Sequence, residues 1–210
     1  MRFLITAGPT REPIDPVRYL SNRSSGRMGF ALAEAAIAAG HDVTIISGPV
    51  SLDPPLHATV IDIETAREMY DSVANEIQNV DVAIFCAAVA DYRVADLASE
   101  KIKKTSDPLN LELIKNPDIL GSARTEFGFS GLLVGFAAET NDVEKHARDK
   151  LVQKQCDLLV ANDVSRSDIG FDHPDNEVTL YFKGGETKAF PLASKSEIAK
   201  SLIHEIEELS

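Results

Sequence analysis

The stretch RFLITAGPTREPIDPVRYLSNRSSGRMGFALAEAAIAA, Arg2 to Ala39, decides the fold. It opens on an apolar run (Arg2–Thr6), passes through a long polar loop and closes on an alanine-rich segment (Gly26–Ala39) with helical spacing. A second apolar run, Asp42–Ser47, follows at once. Strand, helix and strand in this order read as a βαβ unit, whose two strands lie parallel.

The alternation continues outward from there. Apolar runs rich in Val, Ile and Phe fall at Val80–Cys86, Leu132–Phe136 and Asp157–Ala161, and helical patterns at Thr65–Gln78, Pro117–Thr125 and Asp142–Lys154. Asn116-Pro117 reads as an N-cap with proline in the first turn, and Asn141 with Glu144 has the spacing of a capping box. Ala66, Met69, Val73 and Ile77 share one face of the second helix, as in a helix lying on a sheet. The first helix is apolar nearly all round, so a second covering surface is expected, a subunit interface being one candidate.

Towards the C-terminus, Glu177–Phe182 and Thr187–Leu192 flank Lys183-Gly184-Gly185-Glu186, a hairpin signal. A last helix starts at Ser194, with Glu197 three residues on, and is expected to bury Ile198, Leu202, Ile206 and Leu209. No repeat, low-complexity linker or domain boundary interrupts the series. The expected fold is one α/β domain over residues 1–210: a Rossmann-like, doubly wound, mainly parallel sheet with a C-terminal β-hairpin and a terminal helix.

The net charge is −12, which argues against broad binding to nucleic acid or to an anionic membrane. An anionic ligand must therefore meet a local basic pocket. Cys86 and Cys156 lie in apolar runs and read as small core residues rather than as a disulfide or catalytic thiols. The chain begins directly with a strand, without a signal-peptide h-region, and no apolar run reaches membrane-spanning length, so a cytoplasmic protein is expected. His41, His57, His146, His173 and His204 are scattered without metal-ligand spacing, which leaves the ligands of any metal unknown.

In a doubly wound sheet, ligands gather beyond the carboxyl ends of the parallel strands. After the first strand, Gly8 and Gly26 are separated by an insertion carrying Arg11, Arg18 and Arg23, where a dinucleotide-binding turn would space its glycines as GxGxxG. Ser24-Ser25-Gly26 then opens the helix, whose free amides and dipole favour a phosphate. Arg2, Arg11, Arg18, Arg23 and Arg27 outnumber Glu12 and Asp15 in this region, against the acidic balance of the whole chain. Binding of a phosphate or phosphate ester is the preferred reading, and a solvated loop pairing with surface acids is the alternative.

After the second strand, Ser47-Gly48-Pro49 lacks the acid that a nicotinamide-binding fold uses for ribose. After the third comes CAAVADYRVADLASEKIKK, Cys86 to Lys104. Ala87 and Ala88 let a ligand approach the backbone, and Asp91 can orient a hydroxyl or hold Mg²⁺ through water. Lys101 can close over a triphosphate and offset charge that builds up during transfer, whereas Lys104 reads as part of a solvated basic turn. After the fourth strand, Phe136 in GFAAET either joins the core or flanks a base or a pantetheine-like chain. After the fifth, Asn162 and Asp163, ahead of Gly170-Phe171, bind polar groups or build a turn. The chain has no GxxxxGK(S/T), HExxH or CxxC motif, and no tyrosine with lysine four residues on.

The segments ITAGPTREPIDPVRYLSNRSSGRMGFA, SGPVSL, AAVADYR, EKIKK, KNPDIL, VGFAAET and VANDVS together resemble the phosphopantothenoylcysteine synthetases, the phosphopantothenate–cysteine ligases of coenzyme A biosynthesis, in the family's order over nearly the whole chain. The likeness is to the bacterial, CTP-dependent type. In many species that type is fused behind a flavin-dependent decarboxylase. No such half is found in these 210 residues, so FMN is not expected, and the chain reads as a stand-alone synthetase or as a domain of a longer one.

The resemblance implies a two-step reaction. With Mg²⁺, the carboxylate of 4′-phosphopantothenate attacks the α-phosphorus of CTP, giving an acyl-cytidylate and pyrophosphate; the amine of L-cysteine then displaces CMP. It implies catalytic roles for Asn22, in the second step, and Lys101, in the first. It also implies nucleotide contacts at Phe85, Cys86, Ala87, Asp91, Lys101, Pro117, Asp118, Ile119, Leu120, Phe136, Lys150 and Lys154. Arg18 and Arg23, with Ser24, Ser25 and Gly26, are the expected phosphate and phosphopantothenate contacts, the arginines across the interface of a homodimer. Lys150 and Lys154 fit least comfortably: Lys154, about 18 Å along a helix from Asp142, should lie far from the carboxyl ends of the strands unless the helix is short and broken or the pocket extends sideways. The competing readings are a nicotinamide-dependent Rossmann-type reductase and a non-catalytic nucleotide-binding regulator.

Overall fold

The computed structural model describes residues 1–104, 108–139, 141–163 and 175–209. The first half of the chain runs β1 (Arg2–Ala7), β2 (Arg11–Pro13), β3 (Tyr19–Ser21), α1 (Arg27–Ala38), β4 (Asp42–Ser47), β5 (Thr59–Asp62), α2 (Ala66–Glu76) and β6 (Val82–Phe85). The second half runs β7 (Tyr92–Val94), β8 (Leu113–Lys115), α3 (Ile119–Thr125), β9 (Leu132–Glu139), α4 (Val143–Gln153), β10 (Leu158–Asp163), β11 (Asp175–Phe182), β12 (Thr187–Ser194) and α5 (Lys195–Glu208).

Eight strands form one sheet in the order β12-β11-β10-β9-β6-β1-β4-β5. The six from β5 to β10 are parallel, and β11 and β12 add an antiparallel hairpin at one edge. Counted along the chain, the parallel strands lie in the order 3-2-1-4-5-6, the Rossmann arrangement, with its switch point between β1 and β6. Strand pleating sorts the core. Phe3, Ile5 and Ala7 of β1 face α1 and α5, while Leu4 joins Met69, Val73 and Ile77 of the opposite layer.

Several local expectations change. Helix α1 is indeed covered on a second side, but by α5 of the same chain: Ile198, Ala199, Leu202, Ile203 and Ile206 are buried with Leu32, Ala33 and Ala36 in one cluster. Its apolar circumference is thus no argument for a subunit interface. Leu209 falls beyond the end of α5 and is 44% exposed. The N-cap of α3 is Asp118, whose side chain accepts from the Gly121 amide, not Asn116. Helix α4 starts from Asp142 in the left-handed region (φ 44°) without a side-chain cap, so Asn141 and Glu144 form no capping box. By contrast, the box of Ser194 and Glu197 on α5 is present, as is one of Thr65 and Glu68 on α2. Strand β5 and the two small hairpins, β2–β3 and β7–β8, are additions to the sequence reading.

The long loop after β1 is thus partly ordered as a hairpin. Buried Glu12 pins it by accepting from the Ala66 amide at the start of α2 at 2.9 Å. A carboxylate there also meets the positive end of the helix.

Candidate active site

The loops after β1 and β6 are zipped together at the switch point. The Ala88 amide donates to the Gly8 carbonyl at 2.9 Å, and the Thr10 amide to the Ala88 carbonyl at 3.2 Å. Thr6 Oγ1 accepts from the Ala87 amide at 3.2 Å and Thr10 Oγ1 from the Ala90 amide at 3.0 Å. Two buried threonines therefore fix the segment from Ala87 to Ala90, where the side chains are too small to block a ligand. Asn116 continues the frame, its Nδ2 donating to the Ala90 carbonyl at 2.8 Å.

Two cavities flank this segment. The first, of about 480 Å³, is lined by Phe85, Ala87, Asp91, Pro117 to Leu120, Phe136, Lys150 and Lys154. The second, of about 310 Å³, lies over the start of α1 and is lined by Asn22, Ser24 to Gly29, Cys86 to Val89 and Phe136. Ala87, Val89, Asp91, Phe136 and Lys150 line both, so they form the common wall.

The position of the first cavity follows from strand length. β6 ends at Phe85, opposite Gly135, whereas β9 and β10 run on paired to Glu139 and Asp163. Those four extra residues, Phe136 to Glu139, carry β9 about 13 Å past β6 at ~3.3 Å per residue. Helix α4 starts from that outlying end and runs back, so its last turn returns to the level of the step. The pocket extends sideways into the step, and Lys154 reaches it. Lys150 Nζ donates to the Phe136 carbonyl at 2.9 Å, and burial lowers its pKa. Lys154 pairs with Asp118.

In the second cavity, Asn22 Nδ2 donates to the Ala88 carbonyl at 2.9 Å. One amide N–H and the amide oxygen remain for a ligand. Gly26 takes φ 78° as the N-cap of α1, a conformation suited to glycine, and the Cβ of any other residue at Gly29 would lie 2.6 Å from that of Ala7. Cys86 is half-buried rather than fully enclosed, and burial pushes its thiol up to about 12, which leaves it unreactive at neutral pH.

Lys101, Arg18 and Arg23 line neither cavity. Lys101 and Arg18 share a separate depression with Ile102, Lys103, Lys104, Pro108 and Leu109, and Arg23 is exposed. Asn162 lines the second cavity; the side chain of Asp163, and Gly170-Phe171, lie outside the described residues.

Among the lining residues that escaped the sequence reading, Lys195 and Asn176 are polar and nearly buried, 7% and 5% exposed. A signal was available, since lysine is unfavourable at the first position of a helix and asparagine is poor in a strand. Among the described residues, no group of three His, Cys, Asp or Glu side chains could hold a metal, and no helix is long and apolar enough to cross a membrane.

Residues 1–209 match the family described as the DNA/pantothenate metabolism flavoprotein C-terminal domain. The chain belongs to that family. It is 52% identical over 209 residues to the coenzyme A biosynthesis bifunctional protein CoaBC of Vibrio vulnificus (strain YJ016), covering 99% of this chain and 52% of that protein. Against CoaBC of Escherichia coli (strain K12), identity is 47% over 209 residues, covering 98% and 51%. The chain spans about half the length of these relatives. Among solved structures, the C-terminal domain of a CoaBC protein superposes with a TM-score of 0.84 at 43% identity, covering 99% of this chain and 94% of that one. A Cab2 mutant in complex with phosphopantothenate-cysteine shares the fold, with a TM-score of 0.81 at 18% identity, covering 99% and 85%.

Proposed function

We propose that this family member is a phosphopantothenate–cysteine ligase acting in coenzyme A biosynthesis, as the names of its CoaBC relatives suggest. It condenses 4′-phosphopantothenate with L-cysteine through an acyl-cytidylate made from CTP. The observation that carries the reading is the common wall: two cavities meet along Ala87, Asp91 and Phe136 at the switch point of the sheet. A reaction joining a nucleotide to a second anion needs such a seam, with the reacting carboxylate and α-phosphorus brought together across it.

The first cavity takes the nucleotide. The backbone around Ala87 and Pro117 reads the base edge, while Lys150 and Lys154 supply positive charge. The second cavity takes the phosphoanion at Ser24, Ser25 and Gly26, where the positive end of α1 favours an anion. Asn22 stands over the seam, oriented by Ala88, and its remaining N–H stabilises the acyl oxygen as cysteine attacks. Asp91, on both walls, would hold a magnesium ion arriving with the triphosphate; Mg²⁺ usually takes only one or two protein carboxylates beside phosphate oxygens, and when bound it offsets negative charge.

Lys101 acts at the cavities of a second copy in a homodimer. That it lines neither cavity of its own chain supports this, as do the exposed apolar residues Val17, Tyr19, Leu113 and Ile114 on or beside the small hairpins.

The test is pyrophosphate release with 4′-phosphopantothenate and Mg²⁺, using CTP or ATP, before and after adding cysteine. Sustained release that requires cysteine, with CTP well above ATP, is expected. Absence of release with either nucleotide would refute the ligase.

A further inference from the structure

Asp15 is a buried carboxylate that lines neither cavity. It lies in the turn joining β2 to β3, its side chain 0% exposed. Oδ1 accepts from the Val17 amide at 2.8 Å and the Arg18 amide at 2.9 Å, closing the turn around Pro16. Oδ2 accepts from the Arg18 guanidinium, with Nε at 3.0 Å, and from the Ile102 amide at 3.1 Å. Arg18 Nη2 reaches on to the Ile102 carbonyl at 3.0 Å. One ion pair thus grips both polar groups of a single peptide residue far along the chain, and the Ala98 amide adds a tie to the Ile14 carbonyl at 3.2 Å.

A turn of this kind needs only Oδ1. The second oxygen, the guanidinium and the burial are all committed to Ile102, whose neighbours are Lys101 and Lys103. The Arg18 guanidinium, against the opposing effect of burial and with added help from the backbone amides, holds the Asp15 carboxyl well below the usual carboxylate range. The anchor therefore stays charged across the neutral range.

We infer that Asp15 is a positioning residue for Lys101: through Arg18 and the Ile102 peptide it fixes the backbone from which that lysine projects. The inference rests on the ligase reading, in which Lys101 serves acyl-cytidylate formation. A lysine stem is flexible, so the definition of its ammonium position must come from the backbone beneath it. Asp15 touches no substrate, and its effect should appear only in the step that uses Lys101.

The two half-reactions separate these roles. Step one is pyrophosphate release in a single turnover with CTP, 4′-phosphopantothenate and Mg²⁺. Step two is consumption of preformed acyl-cytidylate by cysteine. Asp15→Asn keeps the acceptor that closes the turn but removes the charge that holds Arg18. It is expected to slow step one by about 10- to 100-fold, the scale for displacing a catalytic group by ~1 Å. Step two and the KM for CTP should change by less than about twofold, the group acting there being elsewhere. Ile102→Pro removes the gripped amide and leaves Asp15 and its turn intact, so it should show the same split even if Asp15→Asn folds poorly.

Equal slowing of both steps in both variants would overturn the inference in favour of a general structural role. Unchanged step one in both variants, with Lys101→Gln inactive in that step, would overturn it while sparing the ligase reading. If Lys101→Gln itself keeps step one, the role of Lys101 falls, and the anchor's purpose with it.

Discussion

Two pairs of lysines illustrate different ways of placing charge. Lys150 and Lys154 are held by their side chains, one on the Phe136 carbonyl and the other on Asp118, in the step of the sheet. Lys101 and Lys103 are exposed, and what is held between them is the Ile102 peptide, on Asp15 and Arg18. The first arrangement suits binding, where a fixed charge meets an arriving phosphate. The second suits transfer, where an anchored backbone sets the place from which an exposed ammonium meets developing charge. In sequence both pairs are merely lysines a few residues apart. The strand or loop that receives each one makes the difference.

If that division is right, removing a charge from each pair should affect different kinetic constants. The largest effect is expected from Lys101→Gln: step one should slow by on the order of 10²- to 10³-fold, as for loss of one transition-state donor. The KM for CTP should stay close to that of the unmodified protein. A rise in KM without loss of rate would place Lys101 with the binding lysines and erase the contrast.

Lys150→Met should act the other way, raising the KM for CTP by about 10- to 100-fold, the worth of a charged hydrogen bond, while the rate at saturation holds. Its pKa also gives a test in pH. Burial lowers the pKa of Lys150, so the folded protein releases this proton at lower pH than the unfolded chain does. Between the lowered value and the ordinary lysine value the unfolded state binds more protons, and stability rises with pH. Below that window the desolvation penalty is fully present. At pH 7 the Met variant is therefore expected to keep or raise Tm while losing affinity. A Tm that falls by several degrees would mean that the bond to Phe136 outweighs the burial cost.

The same contrast separates what could be read in the sequence from what could not. Five of the six parallel strands and the four helices packed on them were legible, because each buries an apolar run or face with its own period; the half-exposed edge strand β5 was not. So was the set around Ala87, Asp91, Pro117 and Phe136, which lies at the ends of those strands. The stepped edge was not legible: it depends on β9 continuing four residues past β6, and an apolar run does not announce where its pairing stops. Asp15 was counted only as one of two acids against five arginines, since a buried role for a carboxylate depends on donors brought from Ile102, 87 residues away. The apolar circumference of α1 was read correctly as needing a cover, but sequence cannot say whether α5 or another subunit supplies it. Lys195 and Asn176 went unread because their local signals are only conflicts with propensity, which do not by themselves point to a cavity.

The smallest effect tests whether Lys154 and Asp118 act as a unit. Asp118 has two tasks, accepting from the Gly121 amide at the start of α3 and pairing with Lys154. Asn is as good an N-cap as Asp, so Asp118→Asn should leave the helix in place and loosen only the lysine. The Asp118 side chain is 55% exposed, and such pairs contribute at most about 1 kcal/mol to stability, so neither Asp118→Asn nor Lys154→Gln should move Tm greatly. Each should raise the KM for CTP by only about threefold, because a loosened lysine still offers its charge some of the time and Lys150 remains. The informative quantity is the double variant. If Asp118 serves the nucleotide by holding Lys154, removing both should cost no more than removing the lysine alone, and the coupling in the cycle should equal the whole effect of Asp118→Asn. Additive effects would mean that Asp118 and Lys154 touch the nucleotide independently. Lys154 would then join Lys101 as a charge positioned by its backbone, and the contrast would rest on Lys150 alone.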